Sequence, residues 1–317
     1  MLKTILCTVA LLVAASASAQ TWPTHQIQLV VPYAPGGVVD FIGRTLGQRL
    51  SQQVGQPVVI DNRPGAGGMI GIEYTARSMP DGHTIVLMDP AVVINPVLQE
   101  KPLYELKDLA TLAVIGSSPL VLTVNPQLPV KDVAQLIQYA KANPGKLNFA
   151  SAGIGTTPHM AGELLKARAG IDMTHVPYKG SGPAMADLAA GQVQVGFSSI
   201  TGALPFLKDG RLRGLATSGA KRSAALPDLP TLIEAGYPDL EVDLWLGVFA
   251  PVSTTTAVVR RLNAEINTAL KDPTVIAAFA KVGVEPRINS AEEGAHFVHA
   301  ENEKWAQVVT AAKLKAK

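Results

Sequence analysis

A single cysteine, Cys7, stands in 317 residues, and it lies in the apolar stretch that opens the chain. "TILCTVALLVAA" (4–15) follows Lys3 and precedes the small-residue triplet "ASA" (17–19). Twelve apolar residues are too few to span a bilayer, and the pattern is that of an export leader cut before Gln20. A lipid anchor needs its cysteine next to the cut, and Cys7 is not there. The exported chain then has no thiol, which excludes a disulfide framework, thiolate catalysis and cysteine metal sites. No later stretch offers 18 uninterrupted apolar residues, so no membrane span is expected. Charge of one sign is also lacking. The net charge is +2, and the only basic run is the terminal "KLKAK", so neither nucleic acid nor an anionic membrane is the expected partner. What remains is a soluble protein of the Gram-negative periplasm, 47% hydrophobic and long enough for one large core or two.

Strand and helix patterns alternate along this chain. "IQLVVPY" (27–33), "PVVIDN" (57–62) and "HTIVLMD" (83–89) read as strands, with helices at 38–55 and 69–79 between them. The pattern restarts with strands at 120–126, 147–152, 173–178, 193–199 and 212–218 and helices at 130–146, 159–170 and 184–192. Each run predicts a mostly parallel sheet flanked by helices. The tail holds a strand at 245–251 and amphipathic helices at 257–271 and 298–313, and its size predicts that it packs back on the first unit. The chain then crosses twice between two lobes, near 120–126 and 241–247, and two crossings make a hinge beside a cleft. The expected division is a leader, 1–19, lobe 1 from 20–121 with 244–317, and lobe 2 from 122–243.

One phrase occurs twice, "VPYAPGG" (31–37) and "VPYKGSG" (176–182), each time after a strand and before a helix. Ligands of open α/β sheets bind beyond the C-terminal strand ends, where helix N-termini offer free N–H groups and a positive dipole end. Gly36, Gly37, Gly180 and Gly182 allow close backbone approach. A third such stretch, "SAGIGTTPHMAGE" (151–163), adds the hydroxyls of Ser151, Thr156 and Thr157 around Gly153 and Gly155, with Thr157 as expected N-cap and Pro158 at N1. A lone turn of this kind is usually plain turn chemistry. Three at strand ends of a two-lobed chain point to a small anion such as a carboxylate.

The chain resembles the solute receptors of tripartite tricarboxylate transporters, the Bug-type periplasmic binding proteins. "LVVPYAPGGVVDFIGR" (29–44), "VVIDNRPGAGGMIGIEYTARSMPDGHTI" (58–85), "ANPGKLNFASAGIGTTPHMAGELL" (142–165), "VPYKGSGPAMADLAAGQV" (176–193) and "PDLPTLIEAGYPDLEVDLWLGVFAP" (227–251) carry the likeness. It implies a Venus-flytrap fold in which two loops act as pincers on one carboxylate. The matching positions run from Tyr33 through Ala34, Pro35, Gly36 and Gly37 to Asp40, and from Ser151 to His159. Tyr178, Lys179 and Gly180 form a third matching loop. The resemblance further implies a non-catalytic receptor, expected as a monomer without cofactor, that passes a di- or tricarboxylate or an aromatic acid to a membrane permease of one small and one large subunit. Two departures stand out. "STTT" (253–256) replaces a Gly-Thr-Pro turn, and Ser198 and Ser199 follow the Phe of "GF" where many relatives have an acidic residue. If that position faces the ligand, an ammonium group loses a partner, which favours a dicarboxylate or aromatic acid over an amino acid.

Other constellations are weaker. "GAGGMIG" (65–71) lacks the sixth-place glycine and the later acid of a dinucleotide site, and reads as a helix-start turn. "GFSSI" (196–200) lacks the closing glycine of a nucleophile elbow, which leaves an exported hydrolase as the enzyme alternative; a partner of a sensor kinase would use the same cleft as a transport receptor. His296 and His299 read as a surface pair. His159 either donates to an anion or bonds its own loop. Asp40 would repel a carboxylate, so it is expected to brace the first loop, while Arg63 and Lys179 could lend charge to a ligand or face solvent.

Overall fold

The computed structural model describes residues 22–178, 180–311 and 314; the expected leader lies outside them. The first half opens with β1 (Ile27–Val31), α1 (Val38–Val54), β2 (Val58–Asn62), α2 (Met69–Ala76), β3 (Thr84–Met88) and α3 (Ala91–Leu98). A long strand, β4 (Leu109–Val124), leads into α4 (Val133–Ala142), β5 (Leu147–Ser151), α5 (Thr157–Ala169), β6 (Met173–Pro177), α6 (Ser181–Ala189), β7 (Val195–Ser199), α7 (Ile200–Lys208) and β8 (Arg213–Thr217). The tail forms β9 (Asp243–Pro251), α8 (Thr256–Ala269), α9 (Pro273–Lys281), β10 (Glu285–Pro286) and α10 (Ala291–Ala311).

The strands run β2-β1-β3-β9-β4-β7-β5-β6, with β8 and β10 also on β4. β1 pairs in parallel with β2 and β3, and β5 pairs in parallel with β6 and β7. Each half therefore orders its strands second, first, third. This matched topology puts the first loop of each half, after β1 and after β5, at an equivalent place beside the strand-order reversal. The repeated phrase does not follow that symmetry, because "VPYAPGG" follows a first strand and "VPYKGSG" a second. The topological partner of "VPYAPGG" is "SAGIGTTP".

β4 joins the halves. Its residues 109–119 pair with β9, and residues 120–124 pair with β7 and β8. It starts well before the strand expected at 120, and α3, α7 and α9 were not foreseen. The tail packs on the first half-sheet: β9 lies between β3 and β4, and Leu262 and Ile266 of α8 share a core with Leu29 and Ile85. In α1, Ile42, Leu46 and Leu50 recur every fourth residue and are buried on that sheet, each contributing roughly 2 kcal/mol. Gly55, in the left-handed region, ends the helix by donating its N–H to the Ser51 carbonyl at 3.1 Å.

Candidate functional site: a cavity at the open ends of three helices

Between the halves lies a cavity of about 410 Å³, lined from the first half by Tyr33, Gly37, Val38 and Asp89 and from the second by Thr156, Thr157, Gly180 and Ser181. The N-termini of α1, α5 and α6 face it. None of the three has a side-chain cap: Gly37, Thr156 and Gly180 occupy the cap positions without bonding the first-turn N–H groups. A fourth helix, α7, is closed off, since Ser199 Oγ accepts from Gly202 N at 3.2 Å. Uncapped N-termini leave free donors and positive dipole ends where a carboxylate fits. No Lys or Arg lines this cavity among the described residues; Lys281 lines a groove that adjoins it.

Each loop is braced from behind. In the first, Asp40 Oδ2 accepts from Gly36 N at 3.0 Å, and Asn62 Nδ2 donates to Asp40 Oδ1 at 2.9 Å and to the Tyr33 carbonyl at 3.0 Å. Burial alone would raise the Asp40 pKa, but hydrogen bonds from Arg44, Gly36 and Asn62 outweigh it and hold the group below its ordinary value. In the second loop, the Thr156 hydroxyl donates back to the Gly153 carbonyl at 2.7 Å, which is why it does not cap α5. Thr156 takes the cap position expected of Thr157, and Pro158 moves to the second helical position, where its missing N–H is equally harmless. Gly155 N donates to His159 Nδ1 at 3.2 Å, so the proton of the neutral ring sits on Nε2. His159 stacks on His175 at 4.1 Å, and His175 Nε2 is 2.7 Å from Ser151 Oγ. Burial first, then the neighbouring ring and Lys166, lower His159 to about 3; burial and Lys166 lower His175 to about 4.

One buried hydroxyl of the lining waits for a partner. Thr157 is 1% exposed and its Oγ1 has no hydrogen-bond partner. Asp89, half-buried and directly after β3, is a lining carboxylate whose two oxygens are both engaged. Its Oδ2 accepts from the Tyr33 hydroxyl at 2.9 Å and its Oδ1 from Ala91 N at 3.0 Å. Burial raises the Asp89 pKa above its ordinary value, and these two hydrogen bonds oppose the rise without cancelling it.

The expected residues fall in several places. Tyr33, Gly37, Thr156, Thr157, Gly180 and Ser199 line the cavity, and Gly36 lines the adjoining groove. Ser151 and His159 lie buried behind the second loop, and Gly155 turns toward Asn95 of α3. Ala34 and Pro35 are exposed, Tyr178 donates its hydroxyl to Asp187 at 2.8 Å, and Ser198 is fully buried in β7 outside the lining. Lys179 lies outside the described residues. Arg63 pairs with Asp61 and covers the Tyr74 ring, away from the cavity. Asp89 was missed, although an acid directly after a parallel strand next to the order reversal is a sequence-level signal.

A groove of about 770 Å³ on the outer flank of the first half gathers His25, Asp81 and His83. Their wiring opposes a metal. Thr24 N donates to His83 Nε2 at 3.2 Å, so the ring proton sits on Nδ1, 3.3 Å from Asp81 Oδ1. His296 and His299 lie exposed on α10.

Two α/β halves joined through shared strands, with open helix ends around the cavity between them, define a solute-binding protein of the periplasmic binding type. The model of the tripartite tricarboxylate transporter family receptor matches residues 42–314, and the chain belongs to that family. It is a family of receptors, so the chain is a binding protein and not an enzyme. Protein BugT of Bordetella pertussis is 39% identical over 308 residues, covering 96% of this chain and 94% of BugT. Among solved structures, R. palustris Rpa4515 with adipate is 37% identical with a TM-score of 0.82, covering 92% of this chain and 98% of that one. MatC from Rhodopseudomonas palustris with bound malate is 31% identical with a TM-score of 0.78, covering 91% and 100%. No helix among the described residues is long and apolar enough to cross a membrane.

Proposed function

We propose that this chain is a monomeric periplasmic receptor that closes lobe 1 (20–121 with 244–317) and lobe 2 (122–243) over the carboxylate of a small organic acid. It then delivers that acid to a membrane transporter of one small and one large subunit. The observation that carries the reading is the set of three uncapped helix N-termini, those of α1, α5 and α6, on one cavity. The unpartnered Thr157 hydroxyl on the same cavity supports it, since a ligand oxygen would accept from it. The adipate of Rpa4515 and the malate of MatC are both small carboxylates, and the family's description names a tripartite tricarboxylate transporter.

The test is thermal unfolding of protein freed of bound solute, against mono-, di- and tricarboxylates, aromatic acids and their amides. A ligand at 100 times its Kd stabilises by about 2.7 kcal/mol, a shift of roughly 5–10 °C at this size. An acid is expected to raise Tm while its amide does not. Thr157→Ala is expected to weaken binding about tenfold while the Tm of the empty protein holds or rises, because the lost hydroxyl was buried without a partner. No shift with any acid removes the carboxylate reading.

A further inference from the structure

Asp89 is the only charged side chain lining the cavity among the described residues. It belongs to the first half, whereas two of the three open helix ends, those of α5 and α6, belong to the second. An acid pinned on those two ends and reaching across the cavity would meet Asp89 on the opposite wall. An ionised carboxylate only accepts hydrogen bonds, with about four lone-pair positions. Asp89 has filled two of them, with the Tyr33 hydroxyl at 2.9 Å and Ala91 N at 3.0 Å. It forms no salt bridge among the described residues. Much of the surrounding lining, including Val38, Leu120, Pro158 and Leu244, is apolar and supplies neither counter-charge nor donor. A carboxylate held in such a wall is stabilised by a donor from the ligand and repels a second ionised carboxylate.

We infer that Asp89 sets the specificity of this receptor for acids whose far end carries a hydrogen-bond donor, an ammonium or a hydroxyl. This rests on the carboxylate-receptor reading and narrows it. It also reverses the expectation drawn from Ser198 and Ser199. The acid absent after Phe197 of β7 in the second half is supplied from the first half, directly after β3.

Four-carbon probes that differ only in what the fourth carbon carries test it by calorimetry at pH 7.5: butanoate, 4-hydroxybutanoate, 4-aminobutanoate and succinate. A six-carbon set, hexanoate, 6-hydroxyhexanoate, 6-aminohexanoate and adipate, removes dependence on length. Wild type is expected to bind a donor-ended acid at least tenfold more tightly than the plain acid and the diacid of the same length. The hydroxyl and ammonium arms tell which donor is read. In Asp89→Asn, which keeps an oxygen acceptor for Ala91 N, that ratio is expected to fall to about twofold or less, with the diacid gaining most. Tyr33→Phe removes the hydroxyl partner and leaves the carboxylate, so the donor preference is expected to persist. A wild type that binds plain acids or diacids at least as well as donor-ended ones overturns the inference and leaves the receptor reading standing. So does an Asp89→Asn variant that weakens all probes by one factor, since Asp89 would then only orient Tyr33 and α3. Silence of wild type toward every probe and toward the wider acid panel removes the receptor reading and this inference together.

Discussion

Gly155 is where a single side chain decides whether the halves can meet. Its φ is +79°, and a Cβ placed there would lie 2.9 Å from Asn95 Oδ1 and 3.3 Å from Leu98, both on the opposite half. Asn95 cannot simply swing aside, because its Nδ2 donates to the Gly67 carbonyl at 2.9 Å. A substitution therefore meets two costs, the left-handed backbone at about 1–2 kcal/mol and the steric push across the junction. The second applies only when the halves are closed. Gly155→Val is thus expected to lower ligand affinity more than tenfold in calorimetry while the empty protein loses only a few degrees of Tm. Small-angle scattering should show that added ligand no longer compacts the variant. Compaction and affinity equal to wild type would mean that this contact does not limit closure.

At the scale of elements, α3 shows why some of the fold escaped the sequence. "AVVINPVL" has a β-branched run and an internal proline, both poor for a helix. Pro96 has no N–H for the carbonyl four residues back, that of Val92. The Tyr104 hydroxyl donates to that carbonyl instead, at 2.8 Å. A long-range partner repairs the local defect, and no local pattern reveals it. Tyr104→Phe is expected to cost about 1–3 kcal/mol in urea unfolding by leaving the buried carbonyl unmet. In a Pro96→Ala background the restored N–H should absorb most of that cost, and a purely additive double mutant would deny the link. The first stretch of β4 was missed for a similar reason. Ala110, Ala113, Gly116 and Ser117 give no alternation, and the strand is fixed by β9, far along the chain. The β-α alternation of each half was legible because helix and strand periods switch cleanly there. So were the loops at the cavity, since Gly and Pro at strand ends mark them. Asp89 and Asp40 both follow the first or third strand of the same half, and only coordinates separate the one that lines the cavity from the one that braces it.

The molecule as a whole turns on the two segments that cross between its halves, and one serine ties them. Ser218 Oγ accepts from Leu120 N at 2.8 Å and donates to the carbonyl of Val242, the residue that leads into β9, so a buried hydroxyl ties β4 to the start of the second crossing. Beside it Asp243 pairs in register with Pro119. Burial, helped by Glu241 and Glu301 and opposed by Lys304, pushes the Asp243 carboxyl up to about 6. The folded protein thus prefers this acid protonated. The stability it contributes is complete below its unfolded value near 3.8 and is lost as pH rises through about 6. The buried His159 and His175 act in the opposite direction, because their lowered values make the fold resist protonation as pH falls from about 6.5. Comparing wild type with Asp243→Asn cancels the histidines, which both proteins share. At pH 7.5 the variant is expected to be more stable by on the order of 2 kcal/mol, because the buried charge is gone. At pH 3.8 the gap should shrink to less than half of that, as wild type becomes largely neutral at this position. Urea midpoints at the two pH values measure it. A variant that is less stable at pH 7.5 would show that the Asp243 charge holds the crossing together, and that the hinge depends on an ion pair more than on the serine clasp.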